Sequence, residues 1–329
     1  MRDIAERVVT KKDDNIHELR ARFPNGLHFV VGDLHGEVRT LRKLMNKIEF
    51  DPYKDHVYFV GDYNEGGNVT ALLNYMSEYY QENNNVPGFH MIRGNHEREL
   101  WPVFPLDNIP DILVVRGRKL VFYIVHAGMV SIAFDLINED MKENPNRKVY
   151  AYRLANNTCC EDAPLRQIVW SRKGLYSQHS HWHVWPNEKQ LIEHNACIIH
   201  GHSPYCFFKH PDRFSYGDDN LFWHYQHVWY CKELRSFNID SNAKGRHEHG
   251  ETYRGLACIC LEVYDELAEG NDGSLTTDLI LNAENGLFGA ELEYSGWTNE
   301  IKSPDRILNA TPEMKTICFD GVNLYIGNG

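Results

Sequence analysis

The sequence predicts an α/β fold, a parallel sheet covered by helices, on three observations. Short apolar runs alternate with stretches whose apolar residues recur at helical spacing. Four of the apolar runs close on a glycine followed by a carboxylate, amide or imidazole residue, at Gly32-Asp33, Gly61-Asp62, Gly94-Asn95 and Gly201-His202. Hydrophobic residues make up 42% of the 329 positions, enough to fill a large core.

The elements follow in order. Residues 27–33 (LHFVVGD) read as a strand, 38–48 (VRTLRKLMNKI) as a helix, 56–62 (HVYFVGD) as a strand, 69–80 (VTALLNYMSEYY) as a helix and 88–95 (GFHMIRGN) as a strand. This βαβαβ order is the pattern of parallel strands joined by helical crossovers. In ILVVRGRKLVFYIVHAG (112–128), the segment RGRK between two β-branched runs predicts a tight hairpin. Strands return at 195–201, 234–240 and 256–264. Residues 203–233 differ in character: ten aromatics, from Tyr205 to Tyr230, stand among turn residues such as Pro211 and Gly217. So long an irregular loop is usually a lid or binding loop, and the same aromatics equally suit a plug over a side core. Residues 1–265 read as one domain with 203–233 as an insertion, and 266–329 as an acidic extension packed on it.

Composition excludes several classes. A net charge of −12 argues against nonspecific nucleic-acid binding, because Lys and Arg on phosphates supply most of that affinity. Ten Asp/Glu and no Lys or Arg fall between Glu262 and Glu300, a solvated acidic face. No apolar run reaches membrane-spanning length, and the N-terminal MRDIAERVVTKKDDN is too charged for an export signal, so a cytoplasmic location is expected. The eight cysteines form no CxxC pair and are expected as buried, reduced thiols.

The chemistry concentrates at strand ends. On an extended chain, residues i and i+2 point to one side, so Asp33 and His35 in VVGDLHGE can hold one metal ion. From Asp33 to Asp62 and from Asp62 to Asn95 the steps match βαβ units of about 30 residues, which brings the three to one edge of adjacent strands. Open parallel sheets bind ligands at that edge. His126, closing VFYIVHAG, and His202 add imidazoles. Asp33, His35, Asp62, Asn95, His126 and His202 are too many for one metal and suit two divalent cations. Such a pair clamps the oxygens of an in-line displacement at phosphorus and lowers the pKa of a bridging water to make the nucleophile. Asp62 is the natural bridge. A leaving alkoxide or phenolate needs a proton, a task to which histidine as a residue type is suited, so His96 is the candidate general acid, with Glu65 to orient or polarise its ring.

With GDLHG (32–36), GDYNEGG (61–67), RGNHE (93–97), HAG (126–128) and GHSP (201–204) in this order, the chain resembles the calcineurin-like metallophosphoesterases. Within that superfamily it is most similar to the phosphoprotein phosphatases, in their bacterial and phage branch, and to the diadenosine tetraphosphate hydrolases. The resemblance implies a central β-sandwich flanked by helices with a dinuclear site at the strand C-terminal edge, often loaded with manganese, though Fe, Zn, Ni or Co would also serve. By motif position, Asp33 and His35 would bind the first metal, Asp62 would bridge, Asn95, His126 and His202 would bind the second, and His96 would donate the proton. The second motif departs from the family's GDxxDRG, with Glu65 for the second aspartate and Gly66 for the arginine. That arginine normally forks onto two phosphate oxygens. Arg172 in VWSRKG sits where relatives carry a phosphate-contacting arginine and is the candidate replacement, ahead of Arg93 and Arg98 beside GNHE. His179, His181 and His183 are expected to be solvated.

The expected function is therefore hydrolysis of a phosphomonoester, on a phosphoprotein or small nucleotide, by attack of a metal-bridging hydroxide with His96 as general acid. The alternatives are a phosphodiesterase or dinucleoside polyphosphate hydrolase, favoured by the missing arginine and the aromatic segment, and a phosphate-binding protein without turnover.

Overall fold

The structure is a computed structural model and describes residues 15–99, 109–155, 168, 185–202, 221–225, 228–231, 234–241, 243, 255–268, 286–293, 295, 314–319 and 323–327. Strands run over His28–Val31 (β1), His56–Phe59 (β2), Gly88–Met91 (β3), Ile112–Arg116 (β4), Val121–Val125 (β5), Val149–Leu154 (β6), Ala196–His200 (β7), Leu221–Tyr225 (β8), Val228–Cys231 (β9), Ser236–Asn238 (β10), Gly255–Cys260 (β11), Leu287–Glu291 (β12), Lys315–Phe319 (β13) and Leu324–Gly327 (β14). Helices cover Asn15–Arg22 (α1), Val38–Lys47 (α2), Val69–Tyr79 (α3), Asn95–Glu99 (α4), Ser131–Glu143 (α5), Glu188–Glu193 (α6) and Leu261–Leu267 (α7).

Side-chain alternation decides the layering. Leu113 and Val115 of β4, Phe122 and Ile124 of β5, and Cys197 and Ile199 of β7 share one core with Phe29, Val31, Cys258 and Cys260 of the other sheet. Their neighbours Ile112, Val114, Tyr123, Val125, Ala196 and Ile198 turn to the opposite face and pack with Phe134 and Ile137 of α5. The result is a sandwich of a five-stranded sheet, β12-β11-β1-β2-β3, and a nine-stranded sheet, β14-β13-β6-β4-β5-β7-β10-β9-β8, with helices outside. β1, β2 and β3 are parallel, as the βαβαβ pattern requires. α3 is capped by Asn68, whose Oδ1 accepts from the Ala71 N–H at 3.0 Å. The RGRK turn closes the antiparallel β4–β5 hairpin, with Gly117 N–H donating to Leu120 O at 2.8 Å.

Three expectations change. The first sheet is mixed, because β11 pairs antiparallel with β1. The run 256–264 is strand only to Cys260 and then becomes α7; the Glu262 carboxylate accepts the His28 N–H at 2.9 Å and turns the chain across the end of β1. The aromatic segment is partly regular: β8 and β9 form an antiparallel hairpin that extends the second sheet through β10. Within it Tyr230 is buried against Phe237, ring centroids 4.7 Å apart, as a core residue. Residues 203–220 lie outside the described part. Cys197, Cys258 and Cys260 are buried free thiols. No helix among the described residues is long and apolar enough to cross a membrane.

Candidate metal centre

β1, β2, β3, β5 and β7 deliver their side chains to one edge just past their last hydrogen-bonded residues. Asp33 and His35 follow β1, Asp62 follows β2, Asn95 opens α4 after β3, His126 follows β5 and His202 follows β7. The turns that aim them are tight. His35, Asp62, Glu65 and His202 have φ of 42°, 53°, 64° and 67°, in the left-handed region that costs an L-residue about 1–2 kcal/mol. Strain gathered at one edge marks a site that the rest of the fold holds in place. Gly94 and Gly201 let backbone approach carboxylates: a Cβ at Gly94 would stand 2.2 Å from Asp62 Oδ1, and one at Gly201 1.9 Å from Asp33 Oδ1.

The donors form two groups that meet at Asp62. Ligand atoms of Asp33, His35 and Asp62 lie within 4.8 Å of one another, and so do those of Asp62, His126 and His202, all buried. His126 Nε2 is 3.2 Å from Asp62 Oδ1, 2.9 Å from Asn95 Oδ1 and 3.1 Å from His202 Nδ1. His35 Nε2 is 3.9 Å from Asp62 Oδ2. The remote nitrogens are anchored, His126 Nδ1 on Val60 O at 2.7 Å and His35 Nδ1 on Asn64 O at 2.9 Å, which fixes the rings with Nε2 inward, as metal-ligating histidines require. Asp33 Oδ2 accepts the His202 N–H at 2.9 Å, whereas Oδ1 is buried without a hydrogen-bond partner. Burial, then the nearby Asp240 and Asp62 carboxylates, push the Asp33 carboxyl well above the usual range. Convergent buried oxygens and imidazoles of this kind fit divalent cations and no apolar ligand.

His96 stands beside the shared carboxylate, its Nε2 3.6 Å from Asp62 Oδ2 and its Nδ1 3.1 Å from Glu65 Oε2. Its backbone is tied in as well: the N–H donates to Asp62 Oδ1 at 3.1 Å, and the carbonyl accepts from Asn64 Nδ2 at 2.6 Å. Two further residues belong to the site. Glu97, the last residue of GNHE, is buried and accepts the N–H groups of Asp62 (2.9 Å), Tyr63 (2.7 Å) and Gly94 (2.7 Å), so it clamps two of the turns that carry candidate ligands together. Burial, with Asp62 second, pushes its carboxyl up to about 8. Asp240 closes FNID after β10 as Asp62 closes the run after β2; only the preceding glycine is missing from the signal.

Thus the six expected metal ligands, His96 and Glu65 stand together. Gly66 is more than a lost arginine: a Cβ there would lie 1.9 Å from His35 O, and Gly67 N–H donates to that same oxygen at 2.7 Å. The loop has closed over the place a side chain would need. Arg93 is not a phosphate ligand; it is buried in a two-pronged ion pair with Asp111. Arg172, His179, His181, His183 and the side chain of Arg98 lie outside the described residues.

Residues 29–206 match the model of the calcineurin-like phosphoesterases. The chain therefore belongs to the calcineurin-like phosphoesterase family, whose members are hydrolases. Over 93 residues it is 31% identical to a symmetrical bis(5'-nucleosyl)-tetraphosphatase of Photorhabdus laumondii, covering 26% of this chain and 32% of that protein. A second such enzyme, from Actinobacillus succinogenes, is 53% identical over 34 residues, 10% of this chain and 12% of its own length. The chain thus spans a third or less of these curated relatives. Among solved structures it is similar to a protein serine/threonine phosphatase from Saccharomyces cerevisiae, at 11% identity over 90% of each chain and a TM-score of 0.46. It is also similar to a cold-active protein-tyrosine phosphatase of a Shewanella species, at 16% identity over 72% of this chain and 77% of that one, with a TM-score of 0.40.

Proposed function

We propose that the protein is a two-metal phosphoesterase of the cytoplasm that hydrolyses a phosphomonoester, on a protein side chain or a small nucleotide, with manganese as the resident metal. The single observation that carries this reading is the sharing of Asp62 between two buried donor groups with His96 alongside. Two divalent cations held by Asp33, His35, Asp62, Asn95, His126 and His202 would supply Lewis acidity to the phosphoryl oxygens and acidify water for in-line attack. The chain's own residues do the rest. His96 gives the proton at Nε2 to the leaving oxygen while Glu65 holds Nδ1 and keeps the ring turned inward. Glu97 keeps the turns bearing Asp62 and Asn95 in register. Arg172 is assigned to the phosphoryl oxygens in place of the arginine that Gly66 excludes. In this reading residues 1–265 are the catalytic domain and 266–329 its acidic extension, and the partner is the phosphorylated substrate, with no membrane and no nonspecific nucleic-acid binding.

A second reading, a phosphodiester or dinucleoside polyphosphate as substrate, is favoured by the closed loop at Gly66, since a site without that arginine grips a terminal dianion less firmly. Manganese-dependent hydrolysis of p-nitrophenyl phosphate beside bis-p-nitrophenyl phosphate separates the two, with His96→Asn as control. Faster monoester turnover, reduced about 100-fold or more in the variant, supports the first reading. Faster diester turnover moves the assignment to the second. No turnover of either by metal-loaded protein overturns both and leaves a phosphate-binding protein.

A further inference from the structure

Two residues of the acidic C-terminal stretch, Glu293 and Ser295, reach back to the turns that carry the candidate ligands. β12 pairs with β11 and packs along α2, where Lys47 Nζ donates to Gly289 O at 3.0 Å. Past β12 the chain grips the first turn of α2. Glu293 N–H donates to Thr40 Oγ1 at 2.9 Å, and that hydroxyl faces Glu293 O at 3.4 Å. α2 has no cap of its own, since Glu37 at the N-cap position makes no side-chain bond to the helix. Ser295 supplies the cap from 256 positions away: its Oγ accepts the Arg39 N–H at 3.0 Å, one of the donors that a helix start leaves without a partner. Glu37, Thr40 and Ser295 are all buried.

The same serine reaches the second ligand turn through Glu37. Its N–H donates to Glu37 Oε2 at 3.2 Å, and Glu37 Oε1 lies against Gly67, where a Cβ would stand 2.8 Å from it. The turns of GDLHGE and GDYNEGG are laced together there. His35 N–H donates to Asp62 O at 2.8 Å, Gly36 N–H to Tyr63 O at 2.9 Å and Gly67 N–H to His35 O at 2.7 Å. Both turns hold left-handed residues, His35 in one and Asp62 and Glu65 in the other, and such conformations persist only where neighbours over-determine them. Glu97 fixes the start of the second turn at Asp62 and Tyr63. Glu37 backs its end at Gly67, two residues past Glu65, whose carboxylate holds His96 Nδ1.

We propose that Ser295 is a positioning residue for hydrolysis: by capping α2 and bracing Glu37 against Gly67, it keeps Glu65, and through it His96, aimed at the leaving group. This rests on the reading of the metal centre as a phosphoesterase. The test compares phenyl with p-nitrophenyl esters of phosphate, as the mono- or diester that the metal centre turns over faster, on the manganese-loaded full chain. Phenolate is the poorer leaving group and depends more on the proton from His96. In Ser295→Ala, kcat for the phenyl ester should fall at least about tenfold, with a much smaller loss on the p-nitrophenyl ester and KM near native for both. Amide hydrogen exchange over residues 61–68 should quicken at least about fivefold while β5 keeps its native rate. Ser295→Thr, which retains the hydroxyl, should restore both readouts. Glu37→Ala should repeat the pattern, and the double variant should add little to either change. Equal losses on the two esters, or native exchange at 61–68 in Ser295→Ala, overturn the proposal. Native protein that turns over no ester overturns the phosphoesterase reading and the catalytic role of Ser295 with it, whereas native exchange in Ser295→Ala overturns the brace itself.

Discussion

Acid should unfold this protein partly through two histidines that take no part in its chemistry. His56 Nδ1 and His90 Nε2 share one hydrogen bond of 3.0 Å, in which one ring donates its single proton and the other accepts. Both are buried, stacked at 5.2 Å between centroids, beside His28 and Tyr58. Burial, and then the charge of His28, push His56 down to about 2 and His90 down to about 3. The unfolded chain takes up a proton at each near pH 6.5 and the folded chain does not, so the stability they permit is full above that pH and lost as the pH falls. For one such ring, lowering the pH from 6.5 to 4.5 favours unfolding by about 2 kcal/mol. The perturbation is His90→Phe, which keeps a ring in the stack and removes the titration. Urea unfolding of native and variant protein at both pH values cancels the volume change and the titrating groups away from this pair. Native protein should lose about 2 kcal/mol more than the variant between them. Equal losses would refute the assignment of neutral, buried rings.

Three further changes test separate parts of the structure. Arg93→Met strands the Asp111 carboxylate, which is buried and also accepts the Leu154 N–H, so thermal unfolding should reveal a loss of about 3–5 kcal/mol with KM near native; a raised KM at native stability would return Arg93 to the substrate. Gly201→Ala puts a methyl where Asp33 Oδ1 stands and should weaken metal binding about 10- to 100-fold in a competitive chelator titration, against native affinity if Asp33 is no ligand. Glu97→Gln sets an amide against three N–H donors and should cost about 1–3 kcal/mol in denaturant unfolding of metal-free protein, with no change if the clamp is unimportant.

The convergence of the candidate ligands was legible because each follows an apolar run directly, so local pattern brings Asp33, Asp62, Asn95, His126 and His202 to one edge. Parallel order could likewise be read from the helices between β1, β2 and β3. What could not be read depends on partners distant in sequence. Val31 pairs with Cys258, and no local signal in either run says that the pairing is antiparallel. Val263 and Tyr264 carry strand-type side chains, yet the Glu262 to His28 bond ends the strand before them. Arg93 looks like a phosphate ligand until Asp111 is seen beside it. The missing arginine at Gly66 was visible as a letter; that His35 O fills its place was not.

The most direct test of a centre built around one shared carboxylate is the electron paramagnetic resonance spectrum of manganese-loaded protein, with metal content measured on the same sample. Native protein should hold two manganese ions per chain with an exchange-coupled signal, and Asp62→Asn should lose the coupling and at least one ion. Two uncoupled signals in native protein, or a coupled pair surviving in Asp62→Asn, would contradict the account.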